Sequence, residues 1–160
     1  QALKISENEI RSMGRPAAGV TGIKFKADDR LADMEVFEKN GTLLVVTENG
    51  FGKRTPLDEY PRKGRATGGV MTIDQKHLDL TGEIVAARVV QDEDEISLIS
   101  SAGIMLRLKV KAINTSGRST RGFRVMDLGK GDQVASVARN VSMPLESNGN
   151  GNGASSEQTE

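Results

Sequence analysis

Hydrophobic and polar positions alternate along this chain in short runs broken by turn signals, with no stretch of period 3.6 long enough for an amphipathic helix. Leu43–Thr47 is the strongest run. Asn49-Gly50 then marks a tight turn, and Gly52–Pro56 reads as the returning strand. Val70–Ile73 and Ile84–Val90 supply two further strands of the same unit. The plan recurs downstream as Ile96–Ser100, a turn at Ala102-Gly103, Met105–Val110, Phe123–Leu128 and Val134–Ala138. Upstream, Leu3 and Ile5 alternate with polar neighbours, and Gly14-Arg15-Pro16 turns the chain into Val20–Phe25. The turn Asp28-Asp29-Arg30 precedes a further strand, Leu31–Phe37. Turn signals roughly every 8–12 residues predict an all-β fold.

The runs belong to an internal repeat. Gly64-Arg65, Gly69-Val70 and Ile73 recur as Gly14-Arg15, Gly19-Val20 and Ile23, and again as Gly117-Arg118, Gly122-Phe123 and Met126. The offsets are 64 − 14 = 50 and 117 − 64 = 53 residues. An apolar or aromatic residue (Ile10, Tyr60, Ile113) stands four positions before each first glycine, and a base (Lys4, Arg54, Arg107) stands ten before it. A period near 50 residues points to propellers and related arrays. The expectation is a β-pinwheel or propeller-like array of four-stranded antiparallel blades at 1–37, 38–90 and 91–139, about 2.7 repeats in all. Terminal repeats need a cap or a neighbour, so further blades are expected upstream. Residues 140–160, rich in Asn, Gly and Ser, carry too little apolar surface to offset chain entropy and are expected to be a disordered tail.

Composition narrows the function classes. The 160 residues contain no Cys, which excludes disulfides and thiolate metal sites, and aromatic content is 3%. No apolar run reaches the roughly 18 residues of a membrane span. Formal net charge is zero, but the three acids of residues 140–160 leave 22 − 19 = +3 on residues 1–139. Two stretches are free of acids. Pro61–Ile73 carries Arg62, Lys63 and Arg65; Gly103–Met126 carries Arg107, Lys109, Lys111, Arg118, Arg121 and Arg124.

The candidate chemistry lies in the loop Pro61–Gly69 and its equivalents. Glycines let the backbone approach a ligand, and the neighbouring bases reach phosphate oxygens. An arginine at one point of every blade sets guanidinium groups at intervals along a rim, a pattern suited to a bent duplex. The candidate DNA-binding set is Arg15, Lys53, Arg54, Arg62, Lys63, Arg65, Arg107, Lys109, Lys111, Arg118, Arg121 and Arg124. The competing reading makes Gly-Arg a blade corner with its arginine solvated or ion-paired. His77 lacks partners for metal or acid–base work, Asp92–Glu95 reads as a solvated charged hairpin, and Asp58-Glu59 as partners for Arg54 or Arg62. Tyr60 sits at the repeated apolar position and reads as a core or corner residue. No nucleophile–base pattern or phosphate-binding loop is present, so neither catalytic nor metal residues are assigned.

The run Thr47–Val70, TENGFGKRTPLDEYPRKGRATGGV, resembles the C-terminal DNA-wrapping domain of the DNA gyrase A subunit, and Glu9–Gly19 and Arg118–Phe123 resemble its flanking copies. The resemblance runs from Gln1 to Arg139. It implies the last part of a six-bladed β-pinwheel that binds and bends duplex DNA without sequence preference and supports ATP-dependent negative supercoiling. The family's hallmark box, Q-R-R-G-G-R/K-G, is missing; Arg62-Lys63-Gly64-Arg65-Ala66-Thr67-Gly68 is its degenerate counterpart. The family's catalytic tyrosine follows an arginine in another domain, whereas Tyr60 follows Glu59, so the parent topoisomerase's catalytic residues lie outside this chain. The implied partners are double-stranded DNA, upstream blades, the breakage–reunion domain and the gyrase B subunit, with no membrane. ATP and Mg²⁺ would act in other domains, and the setting would be the nucleoid in the cytoplasm. Two alternatives remain: the equivalent C-terminal DNA-binding domain of topoisomerase IV, or a propeller-like protein-interaction platform.

Overall fold

The computed structural model describes residues 1–26, 28–37 and 40–140, which are mostly β. The strands are β1 (Thr42–Thr47), β2 (Phe51–Pro56), β3 (Ile84–Val90), β4 (Glu95–Ser100), β5 (Met105–Lys109), β6 (Phe123–Arg124) and β7 (Val134–Asn140). One short α-helical turn, α1 (Leu78–Thr81), precedes β3, and three-residue 3-10 turns stand at Glu7–Glu9, Leu57–Glu59, Gln75–His77 and Val110–Ala112. All pairing within the two sheets is antiparallel, in the orders β3-β1-β2-β6 and β5-β4-β7.

β1 is covered on both faces, which is why Leu44, Val45 and Val46 form an unbroken apolar run where a half-exposed strand would alternate. Leu44 and Val46 of the first sheet join Ile96, Leu98 and Val137 of the second in one hydrophobic cluster. Tyr60 and Ile113 occupy the expected apolar place and are buried, with the Tyr60 hydroxyl 2.6 Å from Thr72 Oγ1.

Each unit does not supply all four strands of its own blade. β6 comes from the third unit but pairs with β2 of the second, Gly52 opposite Phe123. The same exchange occurs one unit earlier as an isolated bridge between Ala2 and Val70. Val70–Ile73 is therefore no strand of its own sheet, and the expected runs at Leu3–Ile5 and Val20–Phe25 contribute only isolated bridges at Lys4 and Ile23.

Leu31–Phe37 also departs from expectation, since it forms no strand. Two acids in alternate positions face the edge of β3 instead. The Ala87 N–H donates to Asp33 Oδ2 at 3.1 Å and the Val89 N–H to Glu35 Oε2 at 3.2 Å. Arg88 pairs with Asp33 and lies 3.6 Å from Glu35, which offsets the charge of the two carboxylates. Side-chain oxygens thus take the place of a neighbouring strand's carbonyls. Of the expected disordered tail, Asn140 closes β7, and 141–160 lie outside the described residues.

Candidate nucleic-acid interface

Three consecutive residues of β2 hold the segment 113–120 of the following unit. Lys53 Nζ donates to the carbonyls of Gly117, Arg118 and Thr120 at 2.8, 2.7 and 2.9 Å, and to Thr120 Oγ1 at 3.2 Å. Arg54 Nε donates to Ile113 O at 2.7 Å, its backbone N–H to Asn114 O, and its guanidinium pairs with Asp92. Thr55 Oγ1 donates to Ser116 O at 3.0 Å.

Both bases were expected on the DNA-binding surface, and both are buried; the side chain of Lys53 lies in a cage of carbonyls with its residue only 1% exposed. Adjacent residues of a strand point to opposite faces, yet both side chains reach the same segment, because residues 113–120 run along the edge of β2, where the Arg54 N–H donates to Asn114 O and the Ser116 N–H to Arg54 O. Burial pushes the Lys53 ammonium down to about 8; Glu59 and Asp74 draw it back up, and Arg118 opposes them.

The preceding residues of the signature run have comparable duties. The Glu48 carboxylate accepts the Glu83 N–H at 3.0 Å, and Asn49 Nδ2 donates to Leu80 O at 3.0 Å. Phe51 lies under the Arg124 guanidinium, 5.0 Å from ring centroid to Cζ.

The Gly-Arg loops are tied to one another in register. The Arg65 N–H donates to Glu9 Oε2 at 3.0 Å, and the Arg118 N–H to Glu59 Oε2 at 2.9 Å. The Arg65 guanidinium reaches Thr21 O at 3.3 Å, and that of Arg118 reaches Met71 O at 3.0 Å. Each arginine therefore bonds the loop of the unit before it. In the second and third loops the glycines of the Gly69-Val70 and Gly122-Phe123 pairs are needed for the same junction. A Cβ on Gly69 would lie 2.3 Å from Ala2 O, and one on Gly122 would lie 2.8 Å from Gly52 O. These glycines admit the neighbouring backbone, a role that sequence reading assigned to ligand approach. The capping acids escaped that reading as well. Their signal was the repeat itself: Glu9 and Glu59 both stand five residues before the first glycine.

The predicted bases separate into distinct groups. Arg15, Arg62, Lys109, Lys111 and Arg121 are exposed. Lys63 is exposed with Nζ 3.5 Å from Gly69 O, within its own loop. Arg124 is exposed over Phe51, and Arg107 is exposed 3.9 Å from Glu95. Arg65 is exposed and Arg118 half-buried, and both double as junction struts.

The acidic hairpin is not merely solvated. Asp94 is 4% exposed, receives the Gln91 N–H at 2.8 Å and Arg139 Nε at 2.7 Å, and Asp92 closes the Arg54 pair. Glu59 serves the Arg118 loop, where sequence had matched it to Arg54 or Arg62. His77 is an exposed residue with Nδ1 2.8 Å from Asp74 Oδ2. No cluster of His, Asp or Glu suited to a metal ion occurs among the described residues.

A sheet whose outer strand is supplied by the following unit, an exchange repeated as a single bridge one unit earlier, together with Gly-Arg loops at the junctions, fits a β-pinwheel, a propeller-like class of repeat. A family model described as DNA gyrase C-terminal domain, beta-propeller, matches residues 1–38, 41–91 and 94–140, and the chain belongs to that family. The DNA gyrase A subunit of Mycobacterium leprae is 39% identical over 145 residues, 88% of this chain and 11% of that protein. Its Salmonella typhimurium counterpart is 38% identical over 146 residues, 91% of this chain and 16% of that protein. Among solved structures, a DNA gyrase A C-terminal domain is similar with TM-score 0.79 and 28% identity, over 86% of this chain and 46% of that one. A C-terminal domain of DNA topoisomerase IV follows with TM-score 0.75 and 29% identity, over 84% and 42%. The chain thus spans less than a fifth of these curated relatives and less than half of either solved domain.

Proposed function

We propose that this chain binds and bends duplex DNA as part of the A subunit of a gyrase, where wrapping supports ATP-dependent negative supercoiling. The observation that carries the proposal is the loop-to-loop relay. Thr21 to Arg65 and Met71 to Arg118 repeat one junction at successive units, so the loop arginine recurs in register, with further bases before it in one loop and after it in the next. Arg62, Lys63, Arg121 and Arg124 remain exposed there and can meet phosphates. Few aromatic or amide side chains accompany them, so the contacts position a backbone and do not read bases.

Strand breakage, ATP hydrolysis and Mg²⁺ binding fall, in this reading, to other parts of the enzyme. The partners are DNA, upstream blades, the breakage–reunion domain and the gyrase B subunit, and the place of action is the nucleoid in the cytoplasm. No helix among the described residues is long and apolar enough to cross a membrane. The C-terminal domain of topoisomerase IV has a similar fold. The run ENGFGKRTP and the gyrase A relatives favour the gyrase assignment.

Titration of a labelled duplex at several salt concentrations tests the reading. With about 4–6 phosphates engaged, log affinity should fall against log salt with a slope of roughly −4 to −5, equally on unrelated sequences. A flat response would instead support a protein-interaction platform.

A further inference from the structure

The carbonyls that Lys53 holds belong to a loop that leads directly into Arg121, a base of the proposed DNA surface. Gly117, Arg118 and Thr120 all turn their carbonyl oxygens onto one ammonium, which Thr120 Oγ1 completes as a fourth acceptor. Thr120 Oγ1 is itself fixed by hydrogen bonds with Gly117 O and Ser116 Oγ, both at 2.9 Å. Carbonyl oxygens are the negative ends of peptide dipoles, and one facing a phosphate repels it. A loop whose carbonyls point inward onto a cation presents the opposite field. One repeat earlier the position equivalent to Lys53 is Leu3, by the offset 53 − 50 = 3, and among the described residues no lysine or arginine side chain donates to a carbonyl of the 64–67 loop.

We propose, resting on the DNA-binding reading above, that Lys53 is a positioning residue for phosphate: its charge turns the 117–120 carbonyls inward and leaves the adjoining Arg121 to face the duplex. Deprotonation removes the positive charge and one N–H donor; Gly117 O keeps the Thr120 Oγ1 donor and Thr120 O keeps the Asp74 N–H, so the Arg118 carbonyl, held among the described residues by Lys53 alone, is the one freed to turn outward. DNA affinity then depends on the protonation of a residue that never touches DNA.

The groups around Lys53 leave this dependence readable. Glu59 lies on the turn before Tyr60 and Arg118 on the held loop, while Asp74 caps the turn at Gln75–His77, where the Lys76 N–H and His77 hold its carboxyl below the usual range. Burial raises the Tyr60 phenol, moving it further from pH 8. Lys53, pushed down to about 8, titrates there.

The signs of the two pH effects are opposite. The folded chain loses the Lys53 proton near 8, whereas the unfolded chain keeps it to about the ordinary 10.5. Between those values the unfolded state binds more protons, so this group makes the fold more stable as pH rises. Phosphate binding favours the charged form, so affinity falls over the same window. A loss of binding above pH 8 is then not a loss of fold.

The test is calorimetric titration of the 160-residue chain with a duplex of about 30 base pairs, in two buffers of different ionisation enthalpy. Wild type should take up a fraction of a proton on binding at pH 8–8.5, and affinity should fall roughly three- to tenfold from pH 7 to 9.5 at constant salt, about the effect of one lost phosphate contact. Lys53→Arg keeps the charge without titrating, and should bind with no proton uptake and a flat pH profile. Salt-dependent binding by wild type with no uptake and no pH dependence overturns the positioning role and leaves the DNA reading intact. Unchanged uptake in Lys53→Arg also overturns it, by assigning the proton to another group. Absence of DNA binding at every pH overturns both. The wild-type titration decides even if the variant fails to fold.

Discussion

Replacing Gly50 by alanine should lower the midpoint of thermal unfolding by about 10–15 °C, while the same change at Gly103 should cost only about a third of that. The two glycines hold the same place in the repeat, by the offset 103 − 50 = 53, and both turn a hairpin with left-handed backbone, at φ +77° and +83°. A side chain at such a φ costs about 1–2 kcal/mol. The surroundings then separate them. A Cβ on Gly50 would stand 2.3 Å from Met126 O, a backbone atom, whereas none of the described residues comes within 4 Å of a Cβ on Gly103. The Gly50 carbonyl also accepts the Val125 and Met126 N–H groups at 2.8 and 3.2 Å, so the turn cannot retreat without loosening the segment that follows β6. Overpacking of this kind adds about 1–3 kcal/mol. Equal melting temperatures for the two variants would show that the junction yields freely and that the exchanged strand does little to hold the units together.

The second large effect concerns DNA. Simultaneous reversal of Arg62, Lys63, Arg121 and Arg124 to glutamate should weaken duplex binding by about a hundredfold or more near 0.1 M salt and flatten the salt slope by about one per lost phosphate contact. The melting temperature should change little for Arg62, Lys63 and Arg121, because exposed charges contribute little to stability. Arg124 also gives up its contact with the Phe51 ring, a further modest loss. Lys24 and Lys26, which are exposed and followed by Asp28 and Asp29, serve as controls and should leave affinity nearly unchanged. Wild-type affinity in the fourfold variant, with its fold intact, would remove these bases from the interface. Arg65 and Arg118 belong to a separate experiment. Reversal at either place abolishes a bond to the preceding loop and brings a carboxylate near Glu9 or Glu59, so stability and affinity should fall together.

Local pattern was enough for much of this molecule. The apolar run before Asn49-Gly50 and the run after it became β1 and β2, and Ile84–Val90 became β3 with the same bounds, because alternation and turn chemistry act within a few residues. The repeat pointed to a propeller-like array and the resemblance of Thr47–Val70 to the family, and the repeated apolar position is buried at Tyr60 and Ile113, though Ile10 at the same place is exposed. Exposure of Arg62, Lys63 and Arg121 was legible too, since each stands in a glycine-flanked loop rich in charge.

Other properties were settled only when distant segments met. From the sequence, Lys53 and Arg54 are two bases beside a glycine. They become internal struts because residues 113–120 run along the edge of β2 and supply carbonyls to satisfy them. Asp94 is buried for a like reason, with Arg139 arriving from β7. β6 leaves its own unit because Gly52 and Gly122 allow two backbones to approach where side chains would collide. Leu31–Phe37 has a strand's alternation yet forms none, since Asp33 and Glu35 meet the β3 edge with carboxylates instead of backbone. A charge costs too much to bury unless partners are supplied, and here they come from about forty to sixty residues away. Local alternation carries no record of them; the sequence by itself determined strands, turns and repeat, and the tertiary structure decided which bases face solvent and which hold the units together.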